Sequence, residues 1–298
     1  MNIFEKILNK DQIFINESMK KHTTFKIGGN ADFLLLPNSI QQILDCIKIC
    51  KENNIDYYII GNGSNLLVSD KGFRGVIIKL FKNFNNIDIN KNIIKAQSGA
   101  TLSSIAKKAY ENSLKGFEFA SGIPGTIGGG VCMNAGAYGG ELKDIVKQVT
   151  VLDNDKILTL TNKNCDFEYR NSKILKDKLI VLEVIIELKE GEKEEILSKM
   201  KENNKTRNDK QPVEYPSAGS TFKRPLNNFA GKLIMEAGLA GKSIGDACIS
   251  EKHCGFIINK GNATCEDVLK LADFTCSQVK SKFNVDLEKE IRVIGEGW

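Results

Sequence analysis

The chain has 298 residues, 41% of them hydrophobic and 27% charged, and a formal net charge of +5. At roughly 150 residues per domain this length suggests about two domains, and the composition excludes disordered and fibrous classes. The 42 basic and 37 acidic side chains are spread along the chain, and the densest run, 189–207, alternates Glu with Lys. That run reads as a solvated helix face rather than a nucleic-acid-binding surface.

In chain order, residues 33–36 form a short apolar strand closed by Pro37, and Asn38 is expected to cap a helix carrying Ile40, Ile43, Leu44, Ile47 and Cys50 at helical spacing. Strands follow at 57–60, 76–80 and 92–97, then a helix over 102–111 with Ile105, Ala106 and Ala109 on one face. The stretch 116–140 is different, holding nine of the chain's 26 glycines. Beyond it, 146–152 and 156–160 read as a hairpin around Asp153, Asn154 and Asp155, and 179–188 as a long strand. The charged run from Lys189 is helical and marks the clearest change of composition. Helices near 232–237 and 265–282 and strands at 255–258 and 290–294 complete the reading. Strands and helices mix without a strict βαβ rhythm, so the expected class is α+β.

Eight cysteines include no Cys-x-x-Cys pair, and His22 and His253 do not complete a familiar zinc spacing with them, so the expectation is reduced thiols, buried, and no metal. The first eleven residues lack the apolar stretch of a signal peptide, and no run approaches the ~20 apolar residues of a membrane span. The expected setting is cytoplasmic, with neither nucleic acid nor membrane as partner.

Two glycine-rich segments invite a ligand. Gly61-Asn62-Gly63-Ser64-Asn65 follows a strand, and glycines two apart let main chain approach a phosphate closely. The third glycine of a dinucleotide fingerprint is replaced by Leu66, and the segment after it reads as turn and strand. Gly241-Lys242-Ser243 lacks the earlier glycine of a phosphate loop, Glu236 standing there, and is read as a connector. In Ser121-Gly122-Ile123-Pro124-Gly125-Thr126-Ile127-Gly128-Gly129-Gly130, so many glycines would be costly in a mere connector, because glycine loses the most backbone entropy on ordering. With Asn134-Ala135-Gly136-Ala137-Tyr138-Gly139, these loops suggest a large phosphate-bearing cofactor with a flat ring. A binding module without catalysis fits that much equally well.

Thr23-Thr24-Phe25-Lys26-Ile27-Gly28-Gly29, Gly61 to Leu67 and Gly122 to Gly129 resemble the UDP-N-acetylenolpyruvoylglucosamine reductases, the flavoenzymes of peptidoglycan precursor synthesis. The likeness continues in order through 134–139, Tyr169-Arg170, Tyr215 to Lys223 and Leu287 to Gly295, and so spans about 16–295. It implies an FAD-binding domain of the vanillyl-alcohol-oxidase type over 1–191 and a smaller α+β substrate-binding domain over 192–298. It also implies that NADPH reduces the flavin, which passes a hydride to the enolpyruvyl ether of UDP-N-acetylglucosamine enolpyruvate, giving UDP-N-acetylmuramate after protonation.

By the same resemblance, Arg170, Ser220 and Glu290 are the catalytic residues. A planar guanidinium suits the charge that builds on the substrate carboxylate. A carboxyl at Glu290 assists enolisation, and Ser220 supplies the proton. For FAD, Gly61, Asn62, Gly63, Ser64 and Asn65 are expected at the diphosphate, and Ser121, Gly122, Gly125, Thr126 and Ile127 along the ring and ribityl chain. Lys223 and Arg224 are expected to reach the substrate diphosphate and His253 to line its pocket. Only 49 residues separate Arg170 from Ser220. This matches the shorter family type, which lacks a substrate-covering tyrosine loop. A rival enzyme reading is an FAD oxidase of the same broad fold acting on an alcohol or phenol.

Overall fold

The computed structural model describes residues 3–297. It divides into two compact units, and the chain crosses between them five times. The first holds residues up to Phe14, Leu34–Asn62 and Ile77–Arg207; the second holds Ile15–Phe33, Gly63–Val76 and the chain from Asn208 on.

The first unit is built on an antiparallel five-stranded sheet in the order Lys156–Thr161, Val146–Asp153, Ile180–Glu187, Ile93–Gln97, Ile87–Asn90. Alternate residues of its inner strands, among them Ile94, Ala96, Val149, Val151, Val184 and Ile186, are buried in one cluster with Ile105, Ala106, Ala109, Ile127 and Val131. Each valine or isoleucine of this cluster contributes about 1.5–3 kcal/mol by leaving water, and each alanine methyl about 0.8 kcal/mol. Helix Leu102–Glu111 supplies three of these residues from one face, and Thr101 caps it by accepting the Ser104 N–H at 3.0 Å. Helix Ile40–Glu52 buries Ile43, Cys46, Ile47 and Cys50 as its spacing predicts. Its cap is Ser39, one residue beyond the expected Asn38: the serine hydroxyl accepts the Gln42 N–H, while the Asn38 N–H donates to the Gln42 side chain. A capping oxygen must reach the third helical N–H, and only Ser39 has that spacing.

In the second unit, helix Cys265–Phe283 begins at a reciprocal cap between Thr264 and Asp267 and packs beside a three-stranded antiparallel sheet, Ser243–Ile244, Ala247–Ile249 and Ile257–Asn259. Strand Leu66–Val68 runs parallel to Arg292–Ile294, joining segments more than 220 residues apart in sequence. The core holds Phe25, Ile27, Leu67, Phe222, Leu233, Ile234, Ile249, Ile257, Leu271 and Val279. All eight cysteines are free thiols, and six are buried. Burial raises the Cys46 thiol to about 12 and that of Cys50 to about 11, which keeps both protonated and inert. Among the described residues, no helix is long and apolar enough to cross a membrane.

Candidate active site

In the first unit the two glycine-rich segments meet. A Cβ on Gly61 would lie 2.2 Å from Thr126 Oγ1, and Asn62 Nδ2 donates to the Pro124 carbonyl at 2.8 Å. Thr126 opens the helix Ile127–Cys132, its hydroxyl accepting the Gly129 N–H at 3.5 Å. The helix was not foreseen, because three consecutive glycines, Gly128 to Gly130, depress helix propensity. Packing decides instead: the Ile127 and Gly128 N–H groups reach the carbonyls of Ala100 and Ser98, and a Cβ on Gly128 would stand 2.7 Å from Ser98 Cβ. Ser121 is held by its own hydroxyl, which donates to the Glu118 carbonyl at 2.9 Å.

Arg170 also belongs to the first unit. It sits in a tight turn closed by Glu168 and Asn171, whose main chains exchange hydrogen bonds, and it adopts φ 54°. A non-glycine residue there costs about 1–2 kcal/mol, so the surrounding contacts must hold it. They do: the fully buried Asn134 donates to the Glu141 carboxylate and to the Glu168 carbonyl and accepts the Lys143 N–H. The Arg170 guanidinium donates to the Gly136 carbonyl at 3.2 Å and lies 5.0 Å from the Tyr169 ring. A hydrogen bond from Lys143, followed by that from Asn134 and the charge of Arg170, holds the Glu141 carboxyl below its usual range despite burial.

Arg207 was read from sequence as part of a solvated face, and the structure corrects this. Helix Lys193–Lys210 buries Ile196 and Asn203, and the Asn203 amide donates to the Glu118 carbonyl. One turn on, Arg207 is half-buried, and its Cδ and Asn204 Oδ1 would stand 3.2 and 2.6 Å from a Cβ on Gly122. Burial pushes the guanidinium below its ordinary value, only partly countered by Tyr138. A desolvated cation beside the glycine loop is suited to an electron-rich ligand. Asn203 and Arg207 share one helix face, but both are polar and flanked by charges, so the sequence carries no sign of their burial.

In the second unit, Gly63 has φ +65°, and a Cβ there would meet the His22 carbonyl at 2.3 Å. Asn65 is tied to the catalytic candidate Glu290: its amide donates to the Glu290 carbonyl at 3.2 Å, and its carbonyl accepts the Arg292 N–H at 2.9 Å. Main-chain bonds join Ser220 to the same cluster. Thr221 N–H donates to Gly255, Glu290 N–H donates to Thr221, and Lys223 N–H donates to Glu288. The Ser220 hydroxyl, half-buried, donates to the Phe222 carbonyl at 3.1 Å and lies 3.5 Å from that of Gly255. Lys223 is ion-paired with Glu288, and the exposed Arg224 guanidinium stacks 3.9 Å over the Phe229 ring. His253 lies edge-on to Phe256 at 4.9 Å.

Comparison with known proteins fixes the family. Residues 211–294 match the C-terminal domain of UDP-N-acetylenolpyruvoylglucosamine reductase, and residues 31–160 match an FAD binding domain. A reductase of that name from Clostridium kluyveri is 50% identical, covering 99% of this chain and all of its own length; one from Clostridium botulinum is 52% identical, covering 98% and 96%. The chain belongs to the UDP-N-acetylenolpyruvoylglucosamine reductase family. The crystal structure of such a reductase from Thermus caldophilus superposes with a TM-score of 0.81 at 35% identity, over 94% of this chain and 97% of that one. The reductase family thereby confirms the α+β class, with an FAD-binding domain followed by the family's C-terminal domain, and FAD is the cofactor. The first unit's residues fit it. Gly61 presents bare main chain to the Thr126 side chain, the Asn62 amide ties this segment to the Pro124 carbonyl, and Arg207 stands as a half-buried cation beside Gly122. Among the described residues, no group of three or more His, Cys, Asp or Glu is placed to hold a metal.

Proposed function

We propose that the chain is an NADPH-dependent flavoenzyme that reduces UDP-N-acetylglucosamine enolpyruvate to UDP-N-acetylmuramate for peptidoglycan precursors, with the cofactor part over 1–191 and the substrate part over 192–298, in the cytoplasm. FAD, when bound, would supply the hydride chemistry that links NADPH to the enolpyruvyl group. The protein's residues do the rest. Gly61 to Asn65 hold the FAD diphosphate, and Ser121, Gly122, Gly125, Thr126 and Ile127 line its ring and ribityl chain. Arg170, fixed in its strained turn, holds the substrate carboxylate, where charge builds in the transition state. Glu290 stands by that carboxylate, and Ser220 gives its hydroxyl proton to the carbon that becomes the lactyl centre. Lys223 and Arg224 receive the substrate diphosphate, with Lys223 exchanging Glu288 for it.

The observation that carries this reading is the hydrogen-bond ladder through Gly255, Thr221 and Glu290, which places a hydroxyl donor and a carboxyl side chain on adjoining segments of one unit. The test is cheap. Purified protein should be yellow and should consume NADPH only when the enolpyruvyl sugar is supplied. Colourless protein that takes up no FAD, or NADPH consumption sustained by oxygen alone, would reject it, the latter in favour of an oxidase.

A further inference from the structure

Gly255 lies between His253 and Ser220. Its N–H donates to His253 Nδ1 at 3.2 Å, and its carbonyl accepts the Thr221 N–H at 2.8 Å while facing the Ser220 hydroxyl at 3.5 Å. A Cβ on Gly255 would lie 2.9 Å from His253 Cε1 and 3.4 Å from Ser220 Oγ, so imidazole and hydroxyl flank the same peptide. The half-buried ring is held by its neighbours: Phe256 packs against it, a Cβ on Gly231 would meet its Cε1 at 3.3 Å, and the residue's main-chain N–H donates to Ser250 Oγ at 3.3 Å. A nitrogen that accepts a main-chain N–H carries no proton, so the neutral ring holds its hydrogen on Nε2. Burial favours that neutral form by pushing the imidazole below its ordinary value. A neutral ring with Nδ1 engaged is poorly suited to neutralise a diphosphate and well suited to fixing a peptide plane.

We infer that His253 is a positioning residue for Ser220: by accepting the Gly255 N–H it fixes the peptide whose carbonyl anchors Thr221 and borders the serine hydroxyl. This rests on reading Ser220 as the proton donor. Without the imidazole acceptor, the buried Gly255 N–H loses its partner, and the peptide gains freedom to rotate. The serine then spends less of its time aligned with the carbon it protonates, while hydride transfer from NADPH is untouched.

The experiment uses the full-length, FAD-loaded enzyme and follows two half-reactions by stopped flow: flavin reduction by NADPH, and reoxidation by the enolpyruvyl sugar in H2O and D2O. His253→Phe, which keeps a packed ring but no acceptor, should slow reoxidation at least tenfold, enlarge its solvent isotope effect and leave reduction within twofold. His253→Asn, whose Oδ1 can take the Gly255 N–H, should recover most of the rate. In a Ser220→Ala background, His253→Phe should add nothing. His253→Met answers the same question if the Phe variant fails to fold. Wild-type reoxidation in His253→Phe, or an Asn variant as slow as the Phe variant, would overturn the inference. If Ser220→Ala alone reoxidises normally, the donor assignment falls instead, and the two failures stay distinct.

Discussion

Gly61 in the first unit and Gly255 in the second serve opposite ends. A methyl on Gly61 would sit 2.2 Å from Thr126 Oγ1, so the Thr126 side chain is pressed directly against the Gly61 main chain. Gly255 instead separates two functional side chains, with Ser220 Oγ at ordinary contact distance from the Cβ it lacks. The cofactor segments are thus specified by missing side chains, and the protonation cluster by which side chains a spacer peptide holds. Insertion should damage the first region and truncation the second.

The largest effect is expected from truncation. Ser220→Ala should slow sugar-dependent reoxidation by about 10²–10⁴, the range of a positioned general acid, with NADPH-driven reduction largely intact; equal loss of both half-reactions would erase the division between the regions. Arg170→Lys keeps the charge but loses the planar fork, and should slow the sugar half-reaction by about 10²–10³. Gly61→Ala, an insertion, should raise the FAD dissociation constant at least tenfold and cost about 1–3 kcal/mol in denaturant unfolding. Adding Thr126→Ala should restore part of the affinity, because it removes the clashing atoms. No rescue would mean that the glycine serves something other than close approach.

The smallest effect concerns the chain beneath Gly63. Burial tends to raise the Glu17 carboxyl, but hydrogen bonds from His22 and Lys21 outweigh it and leave the value below 4.5. A carboxyl lowered in the folded state stabilises fully above its unfolded value and loses that contribution as pH falls through the folded one. Glu17→Gln should therefore lower stability slightly at neutral pH and flatten the loss of stability below about pH 4.5, as read from melting temperature against pH.

Much of the architecture was legible. The strand at Tyr57–Ile60 and the helix at Leu102–Glu111 fall where period and turn residues put them, and helix Cys265–Phe283 agrees to within one residue. Local signals failed where distant contacts decide. Strand Ile87–Asn90 was missed because it is an edge strand carrying Asp88 and Asn90. Helix Ile127–Cys132 is held by the carbonyls of Ala100 and Ser98 rather than by its own propensity. The site was legible as a family pattern, but its wiring was not. Nothing in the sequence shows that Asn65 binds the main chain of Glu290 or that His253 holds Gly255. Arg207 was concealed for the same reason, since a charged helix reads as solvated unless one knows which face meets Gly122.

The most direct test of the account is an anaerobic double-mixing experiment on the wild-type enzyme. The flavin is bleached with one equivalent of NADPH and then mixed with UDP-N-acetylglucosamine enolpyruvate. The yellow absorbance should return within the turnover time, with one equivalent of UDP-N-acetylmuramate formed. Flavin that stays bleached until oxygen is admitted would contradict it.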